Sequence, residues 1–262
     1  MRVKKFQIES ESLTSQLNKV DDKSDNVRAL MEKVSPEYLS EFWNQLDISA
    51  IYHDCALEGE VIAPDELNAA LDPRTATDAT NLALFSAIRN HKKSFAVARN
   101  MAVVEQIEFN VNFFEKIHQI FSVIDIDSDQ RGFRKDIPLH RTYFHEISQA
   151  AQIPEKMDEL ILWMSDLSNR QSMHPLSWAA RFHYKFMRIF PYSDTTGKVG
   201  RMAMNIYLMR NGFLPAIIHS TERQRYYESI RGSYAELTQL IIDSEMAALD
   251  SATRFLRRAA GW

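Results

Sequence analysis

Seven glycines and eight prolines are all that punctuate 262 residues, and the long stretches between them repeat apolar side chains at helical spacing. Such a chain has few places to turn, so it is constrained towards long helices packed on one another. Residues 36–58 predict a helix with Leu39, Phe42, Trp43, Leu46 and Ala50 on one face. A short loop and a new helix start are expected at Ala63–Leu67. Further helices are expected over 80–106, 109–124, 154–167, 176–189 and 197–211, and one or two more over 222–258. Residues 1–35 read as polar and charged, with a turn at Asp21–Asp25. Asp125 to His140 is the single stretch that reads as a strand hairpin. No internal repeat or low-complexity linker breaks the pattern. The expected fold class is all-α: a helical bundle around one core, with a small β-hairpin.

Composition narrows the chemistry. Hydrophobic residues make up 45% of the chain, enough for a core of this length. Cys55 is the lone cysteine, so no internal disulfide is available and nothing argues for an oxidising compartment. The charged start, Met1 to Glu9, has no apolar run behind it and does not read as a secretory signal. No segment approaches the ~18 apolar residues that cross a bilayer. The expectation is therefore a cytoplasmic protein with no membrane partner. A net charge of −4 argues against nucleic acid as the main partner.

The chemistry concentrates in Phe190-Pro191-Tyr192-Ser193-Asp194-Thr195-Thr196-Gly197-Lys198-Val199-Gly200-Arg201. This segment joins two expected helices. Unpaired N–H groups and the helix dipole make the start of the second a seat for phosphate. Two threonine hydroxyls, Lys198 and Arg201 are suited to anions, and Asp194 with phosphate oxygens suits magnesium. An alternative is open at the same residues: Asp194 or a threonine simply caps the helix. The Gly197-Lys198 pair does not belong to a Walker loop, because Tyr192 stands at the preceding glycine position and Val199 replaces Ser or Thr.

The segment resembles the signature of the Fic family, His-Pro-Phe-x-Asp-Gly-Asn-Gly-Arg-x-x-Arg. Members of that family move AMP, or less often another phosphate-containing group, from a nucleotide to a protein hydroxyl. Pro191, Asp194, Gly197 and Arg201 match, and Tyr192 is a mild variant. Phe190 stands at the catalytic histidine, Thr195 and Thr196 replace Gly-Asn, and Lys198 replaces the first arginine. The resemblance implies that Thr195, Thr196, Gly197, Lys198, Gly200 and Arg201 bind nucleotide, with magnesium at Asp194. It leaves no intact catalytic residue, because phenylalanine cannot accept a proton. His183, seven residues earlier, is too far back along its helix to replace it and reads as structural.

The likeness extends over roughly residues 50–240. Ala179 to Ile189 resembles the family helix that runs into the signature, entered through His174-Pro175-Leu176. Gly132-Phe133-Arg134 with Ile137 and Leu139 resembles the flap that lays target backbone beside the active site. Residues 154–163 look like the preceding helix, and Asn211 to Pro215 with Arg225-Tyr226-Tyr227 fit the elements that follow. Asp54-Cys55-Ala56-Leu57-Glu58-Gly59 aligns with the family's inhibitory Ser/Thr-x-x-x-Glu-Gly/Asn helix, with Asp54 departing from Ser/Thr. Glu58 is then expected against Arg201, while Gly59 equally reads as a helix C-cap.

The expected organisation is an N-terminal helical region over 1–100 with the inhibitory helix at about 50–60, a core over 101–225 and a helical extension over 226–262. The expected function is a weak or inactive protein AMP-transferase that retains binding of ATP with magnesium. Two alternatives remain: an active nucleotidyl- or phospho-transferase with an altered mechanism, and an interaction scaffold without nucleotide. The protein target and the oligomeric state, including homo-oligomerisation, stay open. Asp125-x-Asp127-x-Asp129 resembles a calcium loop, but Gln130 replaces the glycine and Asp136 the glutamate that the loop requires. The eight histidines show no paired zinc spacing.

Overall fold

The computed structural model describes residues 2–75, 80–103, 108–121, 132–138, 145–259 and 261, with side chains from residue 12 onward. Eleven α-helices run through these residues: α1 (Arg2–Met31), α2 (Pro36–Glu58), α3 (Pro64–Leu71), α4 (Leu82–Val103), α5 (Val111–Phe121), α6 (Ile153–Ser165), α7 (Leu167–Gln171), α8 (Pro175–Ile189), α9 (Thr196–Arg210), α10 (Arg223–Arg231) and α11 (Tyr234–Ala259). Among the described residues there is no strand. Of the expected hairpin, residues 132–138 are irregular, and the rest, with Leu139 and the Asp125–Asp129 run, lies outside the described residues. The all-α class is what forms.

Two features correct the sequence reading. The turn expected at Asp21–Asp25 is absent, and α1 runs straight through it. Leu17, Val20, Val27 and Leu30 form a helical stripe buried on α11, which the flanking charges obscure. The acidic run is spent on neighbours: Asp21 accepts from His174 at 3.0 Å, and Ser24 donates to the Gly212 carbonyl at 2.8 Å. The short α7 was not anticipated; Asp166 starts it by accepting from the Ser168 N–H at 2.8 Å.

The middle of the bundle is the α8–α9 hairpin, against which α4, α5 and α11 pack. His174 caps α8 by accepting from the Leu176 N–H at 3.2 Å, and Pro175 pre-sets its first turn. Trp178, Phe182 and Phe186 then repeat every fourth residue and are fully buried. Phe186 stacks on Phe114 of α5 at 5.1 Å, and Trp178 on Tyr207 of α9 at 3.8 Å. Burying such rings stabilises by roughly 2–3 kcal/mol each. This fixes the α8–α9 connection that carries the signature residues.

Behind α9, the extended run Phe213–Ile218 is buried without a partner strand. Side chains supply its acceptors. The Asn205 side-chain oxygen accepts from the Ala216 N–H at 3.0 Å, and Glu245 Oε1 from the Leu214 N–H at 2.9 Å. Glu245 is fully buried, and its Oε2 has no hydrogen-bond partner. Burial pushes its pKa up to about 8, against the lowering effect of the Leu214 N–H. Folded Glu245 therefore holds a proton that the unfolded chain releases near its ordinary value of 4.5. Stability is expected to fall as pH rises from about 4.5 to about 8. Glu245→Gln should remove that dependence and raise the unfolding free energy at pH 8–9 by on the order of 2 kcal/mol, with little change at pH 4.5. Urea titrations at the two pH values read this directly.

Candidate functional site

The site is built where α8 ends. Phe190 terminates α8 in the left-handed region, φ 53° and ψ 64°, and is the only non-glycine residue among those described with positive φ. That conformation costs about 1–2 kcal/mol for a bulky residue, so it must be held from outside. Its N–H donates to the Phe186 carbonyl at 2.9 Å, and its carbonyl accepts from Arg134 Nε at 2.6 Å. Arg134 is buried and reaches four carbonyls: Phe190, Asp136 at 2.8 Å, Ser148, and Ile189 at 3.4 Å. The neighbouring segment completes the set. His145 Nε2 donates to the Met187 carbonyl at 2.9 Å, and the Ser148 N–H to Arg188 at 3.0 Å. The acceptor-rich end of α8 is thus closed by Arg134, His145 and Ser148.

The turn into α9 is closed on itself. The Thr196 hydroxyl accepts from the Tyr192 N–H at 2.8 Å and donates to the Tyr192 carbonyl at 2.7 Å. Thr196 is fully buried. Thr195 has φ −111°, so its branched side chain sits without strain, and its Oγ1 lies 2.6 Å from His118 Nδ1. The His118 ring stacks on Tyr192 at 4.1 Å. Burial lowers the His118 pKa, with Asp194 acting in the opposite direction. Asp194 itself is exposed.

Arg201, one turn into α9, is the electrostatic centre. All three of its nitrogens are engaged. Nε donates to Asp54 Oδ1, Nη2 to Glu58 Oε1 at 2.7 Å, and Nη1 to the Tyr226 hydroxyl at 3.2 Å. Asp54 and Glu58 lie one turn apart on α2, on the face turned to α9. Burial alone would lower the Arg201 pKa; Asp54, Tyr226 and Glu58 outweigh it and hold the guanidinium well above its ordinary value. Burial would raise Asp54, but Arg201 and His91 hold its carboxyl well below the usual carboxylate range. His91 Nε2 is 3.0 Å from Asp54 Oδ2. His91 Nδ1 is 3.8 Å from Cys55 Sγ, a thiol–imidazole–carboxylate order seen in nucleophilic sites. Here the thiol is buried and its pKa is pushed up to about 12, so it is no nucleophile.

The Glu58 carboxylate also occupies the start of α9. A Cβ placed on Gly197 would lie 2.0 Å from Glu58 Oε1, so the carboxylate rests on the glycine. An anion there is favoured by the helix dipole. The end of α2 is held in place for this. Gly59 closes it at φ 90°, and the Leu57 carbonyl accepts from Arg223 Nε at 2.9 Å and the Tyr227 hydroxyl at 3.1 Å. Just beyond, Glu60 accepts from Lys198 Nζ at 2.9 Å.

The expected site residues therefore separate into groups. Gly197 and Arg201 converge with Glu58 and Lys198 reaches Glu60, while Thr195 and Thr196 have their hydroxyls turned to His118 and Tyr192. Gly200 does not face the site. A Cβ there would meet Phe186 at 2.8 Å and the His183 ring at 3.1 Å, so its role is close α8–α9 packing. Gly200→Ala is expected to cost about 1–3 kcal/mol in a denaturant titration. Of the flap residues, Gly132 and Ile137 are half-buried, and Phe133 tilts on Tyr192 at 6.2 Å. Arg134 is part of the scaffold beneath Phe190, a correction to its expected place on a flap. His183 is fully buried and 2.8 Å from the Tyr226 hydroxyl; burial, then Arg201, lowers its pKa to about 3. Asp54 as a partner of Arg201, along with Tyr226 and His118, was missed, because only the fold brings them near.

Three comparisons show what the chain is similar to. Residues 108–208 match the Fic/DOC family model. The curated relatives include the protein adenylyltransferase Fic of Drosophila ananassae, 25% identical over 245 residues, covering 89% of this chain and 47% of that protein. The protein of the same name from Aedes aegypti is 26% identical over 215 residues, covering 78% and 41%. The chain thus spans less than half the length of these relatives. Among solved structures, Fic-1 (residues 134–508) from C. elegans superposes with a TM-score of 0.80 at 18% identity, covering 97% of this chain and 75% of that one. A Fic domain containing signaling protein from Bacteroides thetaiotaomicron gives 0.78 at 17% identity, covering 94% and 98%. These structural likenesses concern the fold; in sequence, the similarity to the Fic/DOC family lies over residues 108–208, which include the turn into α9 and Arg201.

Proposed function

We propose that this chain is a protein AMP-transferase by descent whose centre is weakened twice: it lacks a base, and its phosphate seat is filled by its own glutamate. The observation that carries this is the Glu58 carboxylate resting on Gly197 and paired with Arg201 at 2.7 Å. The relatives named adenylyltransferases support the reaction class. Transfer would need a target hydroxyl to lose its proton while attacking phosphorus. The buried Phe190 offers no acceptor for that proton. What survives is anion recognition: free N–H groups at the start of α9, the Arg201 fork and the Lys198 charge. ATP is the nucleotide this reading implies.

Magnesium fits in a limited way. Among the described residues no group of three or more His, Cys, Asp or Glu side chains could hold a metal. Exposed Asp194 supplies one carboxylate, which suits an ion whose other ligands are phosphate oxygens and water. When bound, magnesium would neutralise phosphate charge; the chain's own share is Asp194.

Wild-type protein is expected to bind ATP with magnesium weakly, near millimolar. Lys198→Ala together with Arg201→Ala should abolish the heat of binding in calorimetry. No heat from the wild type at millimolar ATP, and none from Glu58→Ala, would leave the scaffold reading without nucleotide in its place. The compartment proposed is cytoplasmic, and the target hydroxyl is that of a protein.

A further inference from the structure

We infer that Arg201 is restrained by two carboxylates rather than one, with Asp54 acting as a second latch that remains engaged when Glu58 is removed. This deepens the reading above and rests on it for the nucleotide. Three observations carry it. First, Asp54 takes Arg201 Nε while Glu58 takes Nη2, so the two acids grip different edges of the same guanidinium. Second, Asp54 Oδ2 lies 3.0 Å from His91 Nε2 of α4, so the carboxylate that meets Arg201 is flanked by an imidazole on its other oxygen. Third, both contacts are buried: the Arg201 and Asp54 side chains are 5% and 13% exposed, so water screens the pair little.

The two acids act on different things. Glu58 covers Gly197, the place where a phosphate would meet the start of α9. Asp54 does not touch that seat. It cancels the Arg201 charge and orients the fork towards α2. Removing Glu58 therefore opens the seat but leaves the arginine paired. Lys198 adds little in compensation, because Glu60 already engages it at 2.9 Å. Asp54 is a positioning residue acting through Arg201.

The test uses the full chain with Glu58→Ala, Asp54→Asn and both together. Asn keeps the shape of Asp54 and its place against His91, and Asp54→Ser serves as a second form should Asn fail to fold. Two readouts are taken. Magnesium-ATP affinity is measured by calorimetry, and the reactivity of Arg201 towards phenylglyoxal is measured by peptide mass mapping. Glu58→Ala alone should improve affinity by about threefold or less, and the double variant by about tenfold more, the worth of one charge-assisted contact. Arg201 should stay protected in each single variant and become modified in the double.

Full affinity gain and full modification in Glu58→Ala alone would overturn the second latch. So would weaker ATP binding in the double variant than in Glu58→Ala, which would make Asp54 an aid to binding. If no variant binds ATP, the nucleotide reading fails. The protection pattern of Arg201 then still decides the latch by itself.

Discussion

The chain carrying Glu58→Ala, Phe190→His, Thr195→Gly, Thr196→Asn and Lys198→Arg together is expected to label itself from labelled ATP ~10²–10⁴ times faster than the unmodified chain. Phe190→His alone should recover little of this. The imidazole would enter a site where Phe190 is 1% exposed, beside the His145 ring at 6.2 Å, and burial there disfavours its protonated form. The loop is a separate obstacle. Thr196 ties the Tyr192 N–H and carbonyl together with two bonds, which sets the turn's shape. Phosphates held in the wrong place lose rate independently of the missing base. The seat must also be emptied of Glu58, and the Asp54 latch would hold the multiple variant to the lower part of the range. An unmodified chain that labels itself or a partner at the rate of an intact family member would sink the weakened-centre reading, with a base still to be found.

The dependence of the site on approach between distant segments explains what could be read from the sequence. Helices α2, α4, α5, α6, α8 and α9 were legible because an apolar stripe at 3.6-residue spacing is a local signal. The α1 stripe was equally regular, but Asp21, Asp22 and Asp25 mimic a turn when read without the helix α11 that covers the other face. The Glu58–Arg201 pairing was legible as spacing within a known pattern. Asp54 was visible only as a departure from it. Its meaning required knowing that Asp54 and Glu58 of α2 reach Arg201 of α9, with His91 of α4 beside Asp54. Gly200 illustrates the opposite error. Its position in the phosphate-loop pattern suggested ligand contact, whereas the space it leaves is filled by Phe186 and His183.

Arg134 is where the scaffold under the site should prove most sensitive. Arg134→Met is expected to lower the unfolding free energy by about 3–5 kcal/mol, measured by urea titration at neutral pH. The side chain is 5% exposed, so methionine's similar length fills the space and the loss reports polar bonds rather than a cavity. The carbonyls of Phe190, Asp136, Ser148 and Ile189 would lose their shared donor. Those at the end of α8 also carry the negative pole of the helix dipole, which a guanidinium offsets and a thioether cannot. Arg134→Lys should lose roughly half as much, because an ammonium keeps the charge but its three donors cannot span the fork's acceptors. Phe190 is the point at which this loss reaches the site. Its left-handed backbone is maintained by the Arg134 bond to its carbonyl and by its own N–H bond to Phe186. With the first bond gone, the strain at φ 53° has one restraint fewer, and the Tyr192–Thr196 turn that follows should loosen with it. Faster amide exchange at Phe190 to Thr196 in Arg134→Lys, under conditions where the variant remains folded, is the expected sign. Exchange unchanged there, alongside a stability loss below about 1 kcal/mol, would mean that water replaces the guanidinium at the end of α8 and that Arg134 is not needed there.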